Sequence, residues 1–204
     1  MIERNNLKVG DVVFFHWNGQ LSEAIVLKKN PKTAFIQVNN KRYKVSYSIL
    51  FNDNEINTPF PSFERSSHDS DEDLYFLITE LKREYSNLYD TFSTDQKSLL
   101  NTVRVKWNSR VTYQLGGKYF RINRNREVRN EILISSSFKN TPKFLIKYLL
   151  YHEILHIKYS NHSKEFRFYE QKFTEYDVAQ DLFRKILLEV RLFGKDRLLK
   201  YIKE

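Results

Sequence analysis

The chain has 204 residues, with 34 Lys and Arg against 25 Asp and Glu, a net charge of +9, and no cysteine. Its length suits one medium domain or a domain with a small module, and the lack of Cys excludes disulfides and thiolate metal sites, so any metal must be held by His and carboxylates. No apolar run is long enough for a membrane helix and residues 1–6 do not have the pattern of a signal peptide, so a cytoplasmic protein without a membrane partner is expected. The basic balance attracts nucleic acid, anionic surfaces or acidic proteins, and composition alone does not choose among them.

Residues 1–55 read as a small β module. A strand at 12–15 lies between Gly10-Asp11 and an Asn18-Gly19 turn. A second at 24–27, a turn at 30–33, a third at 34–38 and an Asn39-Asn40 turn into 42–45 come next. Short strands with tight turns predict an SH3-like β-barrel. Lys28, Lys29, Lys32, Lys41, Arg42 and Lys44, with Trp17 and Tyr43, could form a basic aromatic face for nucleic acid or peptide; the alternative is a solvated face with no ligand. Residues 56–70 read as a linker, from Pro59, Pro61, Ser66-Ser67 and the acids that begin at Asp69. His68 is expected there as an ordinary exposed residue.

Residues 71–204 read as a second domain. Leu74, Leu77, Ile78, Leu81, Tyr85 and Leu88 mark one helix over 71–90, capped from Asp69, Ser70 or Asp71. A short helix or turn is expected at 94–101, then a strand at 103–107 with alternating Val103, Val105 and Trp107. Residues 110–115 and 118–122 suggest a hairpin across Gly116-Gly117, and 131–135 a further strand. Between Arg104 and Arg129 lie eight basic residues, Arg104, Lys106, Arg110, Lys118, Arg121, Arg124, Arg126 and Arg129, against one acid, Glu127. They are candidate DNA contacts; the alternative is the solvated side of a sheet packed on its other face.

The chemistry concentrates in His152-Glu153-Ile154-Leu155-His156, with His162 six residues after the last. Thr141-Pro142 is a helix start, with Thr as cap and Pro at the first helical position. Leu145, Leu149, His152 and His156 continue one core-facing stripe. Residues four apart share a helix face, so the two imidazoles can share one metal ion, while Glu153 lies about 100° around the helix and can reach a water without being a ligand. Ser160-Asn161 breaks the helix, Asn tolerating a left-handed turn, and presents His162; Ser163 caps the next helix. Three protein ligands, an open position and a carboxylate base are what a zinc hydrolase needs. His152, His156 and His162 are thus the candidate ligands of one Zn2+ per chain and Glu153 the catalytic base. Glu165, Glu170 or Glu175, from the next helix, is the alternative third ligand. Helices are expected at 163–173 and 177–192, with Leu198, Leu199 and Ile202 suggesting a last one.

Residues 151–156 and 161–166, with the upstream Trp107-Asn108-Ser109-Arg110, the Gly-Gly pair and the ILISSSF strand, resemble the SprT-like metallopeptidases with H-E-x-x-H…H-S-x-x-F. The resemblance spans roughly 70–204. It implies a zincin-like domain with a short mixed or antiparallel sheet, an active-site helix and C-terminal helices, and with the best-known members it implies cleavage of proteins on DNA. Without Cys, the zinc ribbon of some relatives is absent, and Tyr159 stands where metzincins place Gly. The expected fold is therefore α+β, an SH3-like barrel followed by a zincin-like domain. The expected activity is a zinc endopeptidase of low sequence specificity, its extended protein or peptide substrate pairing with an edge strand at Ile132, Leu133 and Ile134. The competing readings are a catalytically weak zincin-fold module that binds nucleic acid or protein, and a zinc hydrolase of a non-peptide substrate.

Overall fold

The structure is a computed structural model that describes residues 4–17, 20–47, 50–53, 63–109, 116–124, 127–193 and 202–203. They group into two compact units, residues 1–61 with 191–194 and residues 62–190 with 195–204.

In the first unit β1 (Val12–Trp17), β2 (Gln20–Lys29), β3 (Thr33–Val38) and β4 (Lys41–Ser46) form an antiparallel meander in chain order. Asn39 and Asn40 make the last turn at φ 45° and 64°, conformations that Asn tolerates better than most residues. Alternation buries Val13, Phe15, Ala24, Val26, Ala34, Ile36 and Val45 on one face. The sheet is open: β1 pairs on its far side with Phe51 through Phe14, not with β4. The first unit thus shows an antiparallel sheet without barrel closure among the described residues. Lys28, Lys32, Lys41, Arg42 and Lys44 are exposed, whereas Lys29 turns back to the Leu7 carbonyl and Tyr43 packs against the core. The Asn18-Gly19 turn lies outside the described residues.

The second unit begins within the expected linker, with β5 (Phe63–Glu64). Arg65 donates to the Asn140 side chain at 2.8 Å, Ser66 is buried, and His68 is half-buried with Nδ1 at 2.7 Å from Ser66 Oγ. Helix α1 (Asp71–Glu84) starts with a reciprocal Ser70–Asp73 capping box and buries Leu74, Leu77, Ile78 and Leu81. The expected single helix breaks at Tyr85, where φ −115° and ψ 37° leave the helical region, and resumes as α2 (Ser86–Asp90). A second capping box, Ser93–Gln96, opens α3 (Thr94–Thr102).

Three further strands make the main sheet of this unit, β6 (Arg104–Asn108), β7 (Gly117–Arg124) and β8 (Glu127–Ser135). Their order is β6-β8-β7, with β6 parallel and β7 antiparallel to β8. One expectation changes here. Ile132, Leu133 and Ile134 lie on the central strand, with Ile132 paired to Val105 on one side and Tyr119 on the other, so their backbone offers no edge to a substrate. The hairpin expected across Gly116-Gly117 has its first arm outside the described residues; Gly117 itself begins β7, and β7 pairs with β8 up to Arg124 and Glu127. Residues 110–115 lie outside the described residues. The two edges differ. That of β6 is covered by α1, because the Val105 N–H donates to the Tyr75 hydroxyl at 3.1 Å and the Trp107 N–H to Asp71 Oδ1 at 2.8 Å. The edge of β7 lies beside the metal-motif helix.

That helix, α4 (Lys143–Lys158), starts one residue later than expected: Pro142 is the cap, with ψ 141°, and the Thr141 hydroxyl donates to the Phe138 carbonyl instead. It is buried nearly all round, packing on α1, α3, β7 and β8 and on α5 (Lys164–Glu170). Lys143 and Lys147 pair with Glu80 of α1 at 2.9 and 3.6 Å. Helix α6 (Tyr176–Phe193) comes last. Residues 194–201, expected to begin a further helix, are outside the described residues, and Ile202 belongs to β9 (Ile202–Lys203), paired in parallel with β5. Among the described residues no helix is long and apolar enough to cross a membrane.

Candidate metal centre

The end of α4 and the loop after it bring three imidazoles together. His152 and His156 stand one turn apart on α4, half-buried, and His162 is exposed in the loop. One ring nitrogen from each lies within 4.8 Å of the others, and the Nε2 atoms of His152 and His162 are 3.1 Å apart. The chain leaves α4 through Tyr159, at φ −121° and ψ 115°, so the turn needs no left-handed residue; Asn161 is not among those with positive φ. The Ser163 hydroxyl then accepts from the Phe166 N–H and starts α5, as its place in the sequence suggests.

The outer ring nitrogens have partners. His156 Nδ1 lies 3.0 Å from the Tyr159 carbonyl, and His152 Nδ1 lies 2.6 Å from Glu170 Oε1. An imidazole that donates from Nδ1 keeps the Nε2 lone pair for a metal. Burial holds the pKa of His156 and of His162 below the usual imidazole value, and the neighbouring histidines push that of His162 further down. Both therefore favour the neutral form that binds metal. Three imidazoles are a donor set that suits zinc.

Glu153 lies on another side of α4 and is buried, 5 % exposed. Its Oε2 accepts the Tyr119 backbone N–H of β7 at 2.7 Å. Burial raises its carboxyl to about 7, against the opposing effects of nearby His152 and of that hydrogen bond. Gly117 makes this arrangement possible. A Cβ there would stand 2.8 Å from Glu153 Oε1 and 3.0 Å from its Cγ, so β7 can lie this close only without a side chain.

Glu165, Glu170 and Glu175 take different places. Glu170 is fully buried and faces the outer nitrogen of His152, whereas Glu165 and Glu175 are exposed; none joins the group of converging nitrogens. Burial alone would raise the Glu170 carboxyl, but hydrogen bonds from His152, Tyr148 and Arg167 bring it down to about 2. The sequence signal for its role was faint: a Glu four residues after Phe166 on the apolar side of a short helix.

The basic residues do not share one surface. Strand register puts Arg104, Lys106 and Lys118, all either exposed or half-buried, on one face of the sheet, and places Arg121, opposite Asn130, on the other. Arg110 and Arg126 lie outside the described residues; Arg124 and Arg129 belong to β7 and β8.

Residues 5–57 match the family model of a domain of unknown function, DUF7205. No curated protein and no solved structure matches the chain. Residues 124–184 match the model of the YgjP-like metallopeptidase domain. That stretch contains Glu153 and the three converging histidines but begins after most of the basic residues, so it supports a metallopeptidase domain in this part of the chain.

Proposed function

We propose that the second unit is a zinc-dependent endopeptidase of low sequence specificity, in which His152, His156 and His162 hold the ion and Glu153 is the base. The observation that carries this reading is the convergence of three imidazole nitrogens within 4.8 Å, two of them from the helix that also carries a buried carboxylate fixed by a strand. When bound, zinc would supply Lewis acidity at the scissile carbonyl and to the attacking water. Glu153, poised near neutrality by burial, takes the proton of that water and passes it to the leaving amine. The Tyr119 N–H keeps the carboxylate from swinging away. An extended substrate would lie along the edge of β7 that remains beyond the Tyr119 N–H taken by Glu153, since β8 is paired on both sides and β6 is covered. Main-chain pairing of that kind asks little of substrate sequence.

Weak selectivity calls for recruitment. The basic residues on β6 and β7 would attract DNA and so favour DNA-associated proteins as substrates, and the N-terminal sheet, as an SH3-like module, would bind a further partner. The central test is metal content with cleavage of casein. About one zinc per chain is expected, with proteolysis lost on chelation and restored by zinc. Protein prepared without chelator that holds no metal by elemental analysis and takes up none on titration would refute the reading.

A further inference from the structure

Glu170 of α5 is a carboxylate with no exposed surface. A buried anion is costly unless its lone pairs are met, and here they are. Oε1 lies 2.6 Å from His152 Nδ1 and accepts the Tyr148 hydroxyl at 2.8 Å, while Oε2 accepts Arg167 Nη1 at 2.6 Å. The Tyr148 hydroxyl in turn accepts the Gln180 side-chain amide of α6.

The direction of these bonds is set by which groups can donate. An amide N–H only donates, so the Tyr148 oxygen uses its lone pair toward Gln180 and its hydrogen toward Glu170. An ionised carboxylate only accepts, so the hydrogen between Glu170 and His152 sits on Nδ1. In the neutral ring Nε2 then carries the lone pair, and Nε2 is the atom 3.1 Å from His162 Nε2. Both carboxylate oxygens are committed, which removes Glu170 from the possible metal ligands. His156 has a weaker version of the same device, an uncharged carbonyl at 3.0 Å.

We infer that Glu170 is a positioning residue: held by Tyr148, Arg167 and Gln180, it fixes His152 as the Nδ1–H tautomer and aims Nε2 at the metal. This rests on the proposed metal centre. Outer carboxylates of this kind are worth about 10- to 100-fold in metal affinity.

The test uses the full chain, with zinc titrated against a chromophoric chelator. Glu170→Gln should bind zinc about 10- to 100-fold more weakly than wild type, and Glu165→Gln, an exposed acid on the same helix, should match wild type. Tyr148→Phe, which removes one supporting donor and keeps the carboxylate, should lose less than Glu170→Gln. A second measurement needs no variant: long-range 1H–15N correlation on the zinc-free protein at mildly alkaline pH should show His152 protonated on Nδ1. If wild type binds zinc and Glu170→Gln binds it equally well, or if zinc-free His152 carries its hydrogen on Nε2, the inference is overturned while the metal centre stands. If wild type binds no zinc, the metal centre itself fails and the inference falls with it. Should Glu170→Gln not fold, the tautomer in wild type decides.

Discussion

The metal helix and the basic strands of the second unit gather charged and polar groups in opposite ways. His152, His156 and His162 bring one nitrogen each within 4.8 Å, whereas Arg104, Lys106 and Lys118 lie across the sheet from Arg121. A helix repeats its direction every three to four residues, so two side chains on one turn converge whatever else the chain does. A strand reverses direction at each residue, so a basic run divides between two faces. Chemistry needs atoms held to fractions of an ångström, and long-range attraction to a polyanion does not. Perturbing the first region should therefore act sharply and the second gradually.

The largest effect is expected from Glu153→Gln, which keeps an acceptor for the Tyr119 N–H and removes the base. Turnover should fall by about 10²- to 10⁴-fold, with zinc content unchanged. Cleavage at the wild-type rate would remove Glu153 from the mechanism. The same substitution reads out the raised carboxyl. With the folded value near 7 and the unfolded value near 4.5, the folded state binds more protons between the two. The zinc-free wild type should thus lose stability as pH rises through that window. Glu153→Gln should not, and chemical denaturation across the window compares them.

Next come the ligands. His156→Ala and His162→Ala should each weaken zinc binding by more than the roughly 10- to 100-fold typical of an outer partner, because two imidazoles hold the ion poorly. Exposed Glu165→Ala should leave it intact. A strong effect of Glu165→Ala with little from His162→Ala would move the third ligand into α5.

The glycine pair separates placing the base from packing the core. A Cβ at Gly117 presses on Glu153, whereas one at Gly116 meets Phe183 Cε2 at 2.5 Å and Leu149 Cδ2 at 2.7 Å. Gly117→Ala should lower kcat about tenfold or more and spare zinc affinity, since small displacements of a catalytic group are costly. Gly116→Ala should instead cost about 1–3 kcal/mol of stability, as overpacking does. If both variants lose only stability, β7 does not position Glu153.

What could be read from the sequence obeyed the same division. The H-E-x-x-H pair, the Ser163 cap and the apolar stripe of α1 are local, set by spacing along one element. The role of Gly116-Gly117 was not legible, because a close approach to α4 and a tight turn ask for the same residue type. Nor was the central position of β8, since an apolar run reads alike in any buried strand. Glu170 meets His152 across 18 residues, a contact that depends on how α5 docks. The N-terminal strands were legible one by one, but closure of a barrel depends on which strands finally pair.

The smallest effect concerns the basic strands, and it decides whether their divided arrangement matters. DNA binding through this region should weaken steeply with salt, because each phosphate contact releases condensed counterions. Arg104, Lys106 and Lys118 share one face, so replacing all three with Ser should reduce the log–log salt slope by about two to three units. Arg121→Ser, on the opposite face, should change it by less than about one unit. None of these side chains is among the proposed zinc ligands or the base, so cleavage of a free peptide should survive the triple change. Fluorescence anisotropy at low salt measures both. If Arg121→Ser reduces the slope as much as the triple substitution does, DNA does not favour the face opposite α4. If wild type shows no binding at all, the basic residues only solvate the sheet, and recruitment to DNA is withdrawn while the peptidase stands.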